Sequence, residues 1–324
     1  MKQANLNKSI SSKDAAAHGI VTDKQRLLNS RHWASQLNLF SRRAASSTLL
    51  GNTRSRFRGR GMEFEEVRRY QPGDDIRTID WKVTARNPGT YTKLFCEERE
   101  RPCHLIIDQR SALFFGSGDR FKAVLAAEIS AALAWATIAV GDRVGAQIIG
   151  DASEIDIRAR NSRKTVLRLI EGVHTFNTQL LDAQLKISAK LKTDHQPNRL
   201  SHYLDECLRI IRPGSAVFVI SDFHDIDAYC IKALSKISKR ADITLFQVFD
   251  PLEEQLPQTA VLPISDGLEV AKVRMTGGLR SAYENSIARR ENHIRKAAAQ
   301  SNSHLMKVAT TTTAHKALSQ VYRT

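Results

Sequence analysis

From residue 102 onward the chain alternates short apolar runs with segments of helical period. Residues 102–108, PCHLIID, form an apolar run closed by Asp108, the pattern of a strand buried on both faces. Residues 119–140 read as one long helix. Its apolar stretch, 123–140, approaches membrane-span length, but Glu128 interrupts it and alanine dominates it. Small residues suit a helix packed tightly against a sheet. Residues 143–150 and 154–158 read as two strands turning around Asp151. Residues 162–176 read as a helix with Val166, Leu169, Ile170 and Val173 on one side. The polar and basic stretch 177–197 reads as a loop with room for one helical piece. A helix at 200–211, a strand at 216–221 closed by Asp222, a helix at 228–238 and a strand at 242–249 follow. Short strands at 261–274, a helix at 279–299, a strand at 304–309 and a helix at 314–322 complete the pattern. Strands alternating with helices predict an α/β fold, a mostly parallel sheet covered by helices on both faces.

The first hundred residues follow another pattern. Residues 1–20 are polar, and disorder is expected there. Residues 23–40 carry Leu27, Leu28, Trp33, Leu37 and Phe40 near helical spacing. They predict an amphipathic helix docked on the body, with a partner- or membrane-binding helix as the alternative. Residues 41–61 form a basic loop. Residues 62–67 are half apolar and suit a strand with one wet face. Gln71-Pro72-Gly73-Asp74 predicts a type II turn, since Pro presets φ at the second position and Gly supplies positive φ at the third. Asp74 or Asp75 then caps a short helix with Ile76, Ile79 and Val83 on one face and Trp81 as its anchor. The many charges around it, Arg68, Arg77 and Arg86 against Asp74, Asp75 and Asp80, predict a half-buried ion-pair network. Residues 91–98 alternate as a strand.

This stretch resembles the signature of the domain-of-unknown-function 58 family. The matching positions are Gly61, Glu63, Phe64, Arg68, Tyr70, Pro72, Gly73, Asp74, Asp75, Arg77, Ile79, Asp80 and Trp81. The resemblance implies a von Willebrand factor A-like α/β domain and a partnership with a MoxR-type AAA+ ATPase. The domain organisation expected is a basic segment 1–60 with one amphipathic helix, a small β-rich signature subdomain 61–101, and an α/β domain 102–324. Many relatives carry two N-terminal membrane helices, and none is expected here.

The resemblance also directs attention to the carboxyl ends of the strands, where open α/β sheets bind ligands. Von Willebrand A-like domains hold a metal there with a D-x-S-x-S segment, a Thr and a second Asp. In this chain the segment reads Asp108-Gln109-Arg110-Ser111-Ala112, and the place of the Thr reads Asn198-Arg199. Arg110 and Ala112 stand where hydroxyls are needed, and Ser111 is one residue off register. Magnesium requires converging hard oxygens, so no metal is expected. Arg110 either neutralises Asp108 or Asp222 as a permanent cation or points into solvent.

Charge narrows the function. The 324 residues carry a net charge of +15. Residues 1–60 hold 12 Lys and Arg against 2 Asp and Glu, and residues 269–324 hold 10 against 3. The basic excess therefore belongs to the flanks, and the middle is slightly acidic. Weak, non-specific anion binding by the flanks is expected, without a recognised reader motif. The cysteines Cys96, Cys103, Cys207 and Cys230 form no C-x-x-C pair and read as reduced thiols of a cytoplasmic protein. There is no H-E-x-x-H pair, no G-x-S-x-G elbow and no phosphate loop. The leading expectation is a non-enzymatic interaction module, an adaptor or assembly factor with no cofactor. The alternatives are nucleic-acid or anionic-surface binding through the flanks, and an enzyme using Asp74, Asp75 and Asp80.

Overall fold

The computed structural model describes residues 19–39, 62–97, 101–188, 199–254, 256, 261–265, 270–274 and 276–322. The chain divides into two compact units. One comprises Met1–Ser41 and Arg101–Thr324, the other Arg42–Glu100.

In the first unit the N-terminal pattern forms two short helices rather than one. They are α1 (Lys24–Asn29) and α2 (Arg31–Ala34). The break falls at Ser30, whose hydroxyl donates to the Leu27 carbonyl at 2.7 Å and so competes with the helical ladder. Leu27, Ala34 and Leu37 are buried in the main core. Phe40 lies outside the described residues.

In the second unit, β1 (Met62–Arg69) pairs antiparallel with β2 (Tyr91–Glu97), with a bulge between Phe64 and Glu66. Between them, the Asp74 N–H donates to the Gln71 carbonyl at 3.0 Å, and Gly73 has φ of +106°. That is the type II geometry, which a Cβ at Gly73 would oppose. The single helix expected next is instead a 3-10 turn, Ile76–Thr78, followed by the one-turn helix α3 (Trp81–Thr84). Ile79 between them is extended and bridges Thr92. A 3-10 turn and one α-turn cannot present a continuous apolar face. Ile76 is accordingly 65% exposed and Trp81 67% exposed, so Trp81 is no buried anchor.

The remaining elements of the first unit begin with β3 (Cys103–Asp108), α4 (Lys122–Ala139), β4 (Val144–Ile149), β5 (Glu154–Arg160) and α5 (Arg163–Ser188). They continue with α6 (Leu200–Ile210), β6 (Ser215–Ser221), α7 (Ala228–Ile237), β7 (Ala241–Phe249) and α8 (Pro251–Glu254). A two-stranded antiparallel pair, β8 (Val261–Ser265) with β9 (Val270–Arg274), precedes α9 (Gly277–Gln300), β10 (His304–Ala309) and α10 (Ala314–Tyr322). The six-stranded sheet has the order β10-β7-β6-β3-β4-β5. All neighbours are parallel except β5, which runs antiparallel to β4 along one edge. At Gly145 a Cβ would meet the Ile157 carbonyl and the Ala159 N–H at 2.8 Å, so only glycine admits the irregular β4–β5 register there.

Two apolar layers cover the sheet. One contains α1, α2, α4, α5 and α10, the other α6, α7 and α9. Helix α4 is buried along nearly its whole length. It is long and apolar enough to cross a membrane, but it lies inside this core. Helix α5 runs well beyond residue 176, into a stretch that reads as a loop in sequence. Asn177 explains part of this. Its Oδ1 accepts from the Thr22 N–H at 2.8 Å and its Nδ2 donates to Gln109 Oε1 at 3.1 Å, so tertiary partners outweigh its low helical propensity.

Candidate functional site

Parallel strands β3 and β6 are neighbours, so their carboxyl ends, Asp108 and Ser221-Asp222, lie side by side. Asp108 is fully buried and surrounded by donors. Arg110 gives its backbone N–H at 3.1 Å and its Nε at 2.9 Å to Oδ1, and its Nη2 at 2.7 Å to Oδ2. Ser221 gives its hydroxyl to Oδ2 at 2.6 Å. The other side of the guanidinium donates to Asp225, at 2.6 Å to Oδ2 and 3.0 Å to Oδ1. Asp225 also accepts the Leu200 N–H at the start of α6, at 3.0 Å. Arg110 is only 2% exposed, so the guanidinium is a buried clamp between two carboxylates and not a solvated side chain.

A second cation serves Asp222. Lys122, the first residue of α4, places Nζ 2.8 Å from Asp222 Oδ2 and 2.8 Å from Glu253 Oε1. Asp222 Oδ1 receives the His224 N–H at 3.2 Å and lies 3.0 Å from His224 Nδ1. Phe223, between them, adopts a left-handed φ of 53°, uncommon for a bulky residue, with its N–H on Ser221 Oγ at 3.0 Å. At the end of β7, Asp250 accepts from the backbone and hydroxyl of Ser117 and from the Thr310 hydroxyl.

The electrostatics follow from these contacts. Burial pushes the Asp222 carboxyl up, but the His224 hydrogen bond and the Lys122 charge hold it well below the carboxylate range. Burial likewise opposes the charge on Arg110, on Lys122 and on Asp225. Asp108 and Asp225 more than reverse this for Arg110, as Asp222 and Glu253 do for Lys122. Arg110 does so for Asp225. His224 is raised above its ordinary value: burial lowers it, and the bond to Asp222 with the charges of Asp222 and Asp225 overcomes that. Its stabilising contribution is therefore complete below about pH 6.5 and lost as pH rises through the raised value. The gap in thermal midpoint between the wild type and His224→Asn should be widest near pH 5.5 and close toward pH 8.5. A gap that widens with pH would contradict the ion pair.

These residues do not fit a divalent ion. The carboxylate oxygens a metal would need are taken by Arg110, Lys122 and Ser221, and the two cations repel any further positive charge. Ser111 directs its N–H and hydroxyl to Asp151. Ala112 packs against the apolar core. Asn198 lies outside the described residues. Arg110 thus sits on Asp108 but not on Asp222, whose cation is Lys122. Sequence reasoning missed Lys122, Asp225, Glu253 and His224. The available signal was a single Lys opening an otherwise apolar helix.

The three signature aspartates each hold a turn or a helix start. Asp74 accepts from Arg68 Nη2 at 2.7 Å and from the Gln71 N–H at 2.9 Å, which braces the turn. Tyr70 donates its hydroxyl to the Asp74 carbonyl at 3.3 Å. Asp75 accepts the Arg77 N–H at 3.0 Å and caps the 3-10 turn. Asp80 caps α3 through the N–H groups of Lys82 and Val83, and Lys93 lies 3.4 Å away. The Val83 N–H draws the Asp80 carboxyl down despite the small opposing effect of burial. Arg77 and Arg86 are exposed. Among the described residues the network expected there includes the half-buried Arg68–Asp74 pair and the Lys93–Asp80 pair.

Residues 66–293 match the family described as "Protein of unknown function DUF58". The chain belongs to this family. Among its relatives are uncharacterized protein Rv1480 of Mycobacterium tuberculosis and uncharacterized protein Mb1516 of Mycobacterium bovis. Each is 28% identical over 208 residues, 64% of this chain and 61% of the relative. The match thus spans less than two thirds of those relatives. Solved structures of similar fold include BatB from Bacteroides thetaiotaomicron, with a TM-score of 0.45 at 13% identity over 68% of this chain and 96% of that one. An aerotolerance-related membrane protein from Bacteroides fragilis gives 0.39 at 15% identity over 68% and 97%. The SpRpn10 VWA domain gives 0.31 at 10% over 68% and 94%. In this member of the family the fold is α/β, a mostly parallel six-stranded sheet covered by helices on both faces.

Proposed function

We propose that this member of the family is a non-enzymatic protein-interaction module, a cytoplasmic adaptor or assembly factor for a MoxR-type AAA+ ATPase. The observation that carries the reading is the exposure of Trp81 beside that of Ile76 in the signature segment. Tryptophan is the residue most enriched among binding hot spots, and the carboxylates around this one are already engaged in turn and cap bonds. The strand-end centre supports the same reading. Its carboxylates are engaged by Arg110, Lys122 and Ser221, which holds them as structural ion pairs. The ATPase as partner rests on the family resemblance.

The test is capture of a purified MoxR-type ATPase, with and without ATP, by the wild type and by Trp81→Ala. Trp81→Ala should weaken capture at least tenfold, about 1.4 kcal/mol, while the thermal midpoint stays within about 2 °C, because an exposed ring leaves no cavity behind. Equal capture by both proteins would overturn the assignment of Trp81. Capture of neither would overturn the ATPase as partner.

A further inference from the structure

The α6 face of the sheet ends in a ledge of acceptors at the antiparallel edge. Gln147 on β4 stands directly opposite Asp156 on β5, and Glu154 lies one pleat along on the same face. Helix α5 packs on β4 and β5 from the other side, whereas Glu154 and Asp156 remain exposed. Glu206 of α6 closes the ledge: it accepts from Gln147 Nε2 at 3.0 Å, with His202 Nε2 at 3.6 Å from its other oxygen.

Two independent features of this ledge call for a donor. Gln147 is only 3% exposed, yet its Oε1 has no hydrogen-bond partner. An orphaned buried acceptor carries a penalty of about 1–3 kcal/mol. The nitrogen of the same amide is held by Glu206, a member of the ledge. Among the described residues, neither Glu154 nor Asp156 has an ion-pair partner. Burial, and then the Glu206 charge, push both carboxyls up. Asp108, Asp222 and Asp225 are each paired with a cation, whereas among the described residues Glu154 and Asp156 are not.

We propose that Gln147, Glu154, Asp156 and Glu206 form a receptor for an arginine side chain presented by a protein partner. The proposal rests on the interaction-module reading and supplies a second contact surface for it. Arginine fits better than a metal ion. No three carboxylate, His or Cys side chains among the described residues converge as a metal requires. A planar guanidinium carries five donors across a wider span and bridges separated carboxylates and a side-chain carbonyl. The surrounding charge gives selectivity. The cluster lies in the slightly acidic middle of the chain, so a cationic peptide is attracted here and repelled by the basic flanks.

The test is an NMR titration of the full chain with hexa-arginine, with hexa-lysine as an equal-charge control. Hexa-arginine should move the Gln147 side-chain amide resonances and bind at least tenfold more tightly than hexa-lysine. In Asp156→Asn/Glu206→Gln the affinity should fall at least tenfold. Glu154→Gln/Asp156→Asn should leave the thermal midpoint unchanged or raise it, because like-charge repulsion is relieved. A fall in thermal midpoint would assign the cluster to stability and overturn the receptor. Shifts confined to other surfaces, equal binding of the two peptides, or stoichiometric Mg²⁺ or Ca²⁺ binding at Gln147 would also overturn it. This readout is independent of the ATPase, so failure of capture and failure of the receptor are distinguishable.

Discussion

Arg110→Ala should destabilise the protein by about 3–5 kcal/mol at neutral pH, the range for removing one partner of a buried ion pair. The guanidinium holds Asp108 and Asp225 at once, and Asp108 is fully buried. Its removal strands a carboxylate that keeps only the Ser221 hydroxyl and a backbone N–H. Urea denaturation should therefore show a lower midpoint with an unchanged slope. Arg110→Lys should recover only part of the loss, because an ammonium cannot span both carboxylates with the same planar fork. Full stability in Arg110→Ala would mean that the guanidinium contributes nothing to the fold.

Lys122→Ala should be similarly severe, about 3–5 kcal/mol, with a pH dependence set by His224. The ammonium serves Asp222 and Glu253. Without it, Asp222 retains His224 as its nearest cation. Histidine compensates only while protonated. His224 is raised above its ordinary value, so the compensation is present below about pH 6.5 and fades as pH rises through the raised value. The deficit relative to wild type should thus be smaller at pH 6 than at pH 8.5. A deficit independent of pH would show that His224 and Asp222 are uncoupled in the variant.

The sheet was legible because its strands are short, nearly continuous apolar runs, and two of them end in Asp. Arg110 as the cation of Asp108 was legible too, as one of the alternatives the sequence left open. Lys122 was not, because its partners lie 100 and 131 residues away and no local pattern joins them. Trp81 misled for a different reason. A tryptophan among isoleucines reads as an anchor only if one helix carries them all, and the extended Ile79 divides the segment into two single turns. The length of α5 was hidden by polar residues whose partners, Thr22 and Gln109, come from distant parts of the chain.

Helix α4 has a consequence for biosynthesis. Its apolar surface is completed from both directions along the chain: by α1 and α2, translated before it, and by α10, translated long after. At about 5–20 residues per second, the ribosome needs roughly 10–40 s between the end of α4 and the end of α10. Through that interval the nascent chain carries an incompletely covered, membrane-like helix. Glu128 lies within the helix and opposes its capture by a bilayer, although it can already pair with Arg26 and Arg120, both translated earlier. Lys122, the first residue of the helix, meets Asp222 only after a further 100 residues.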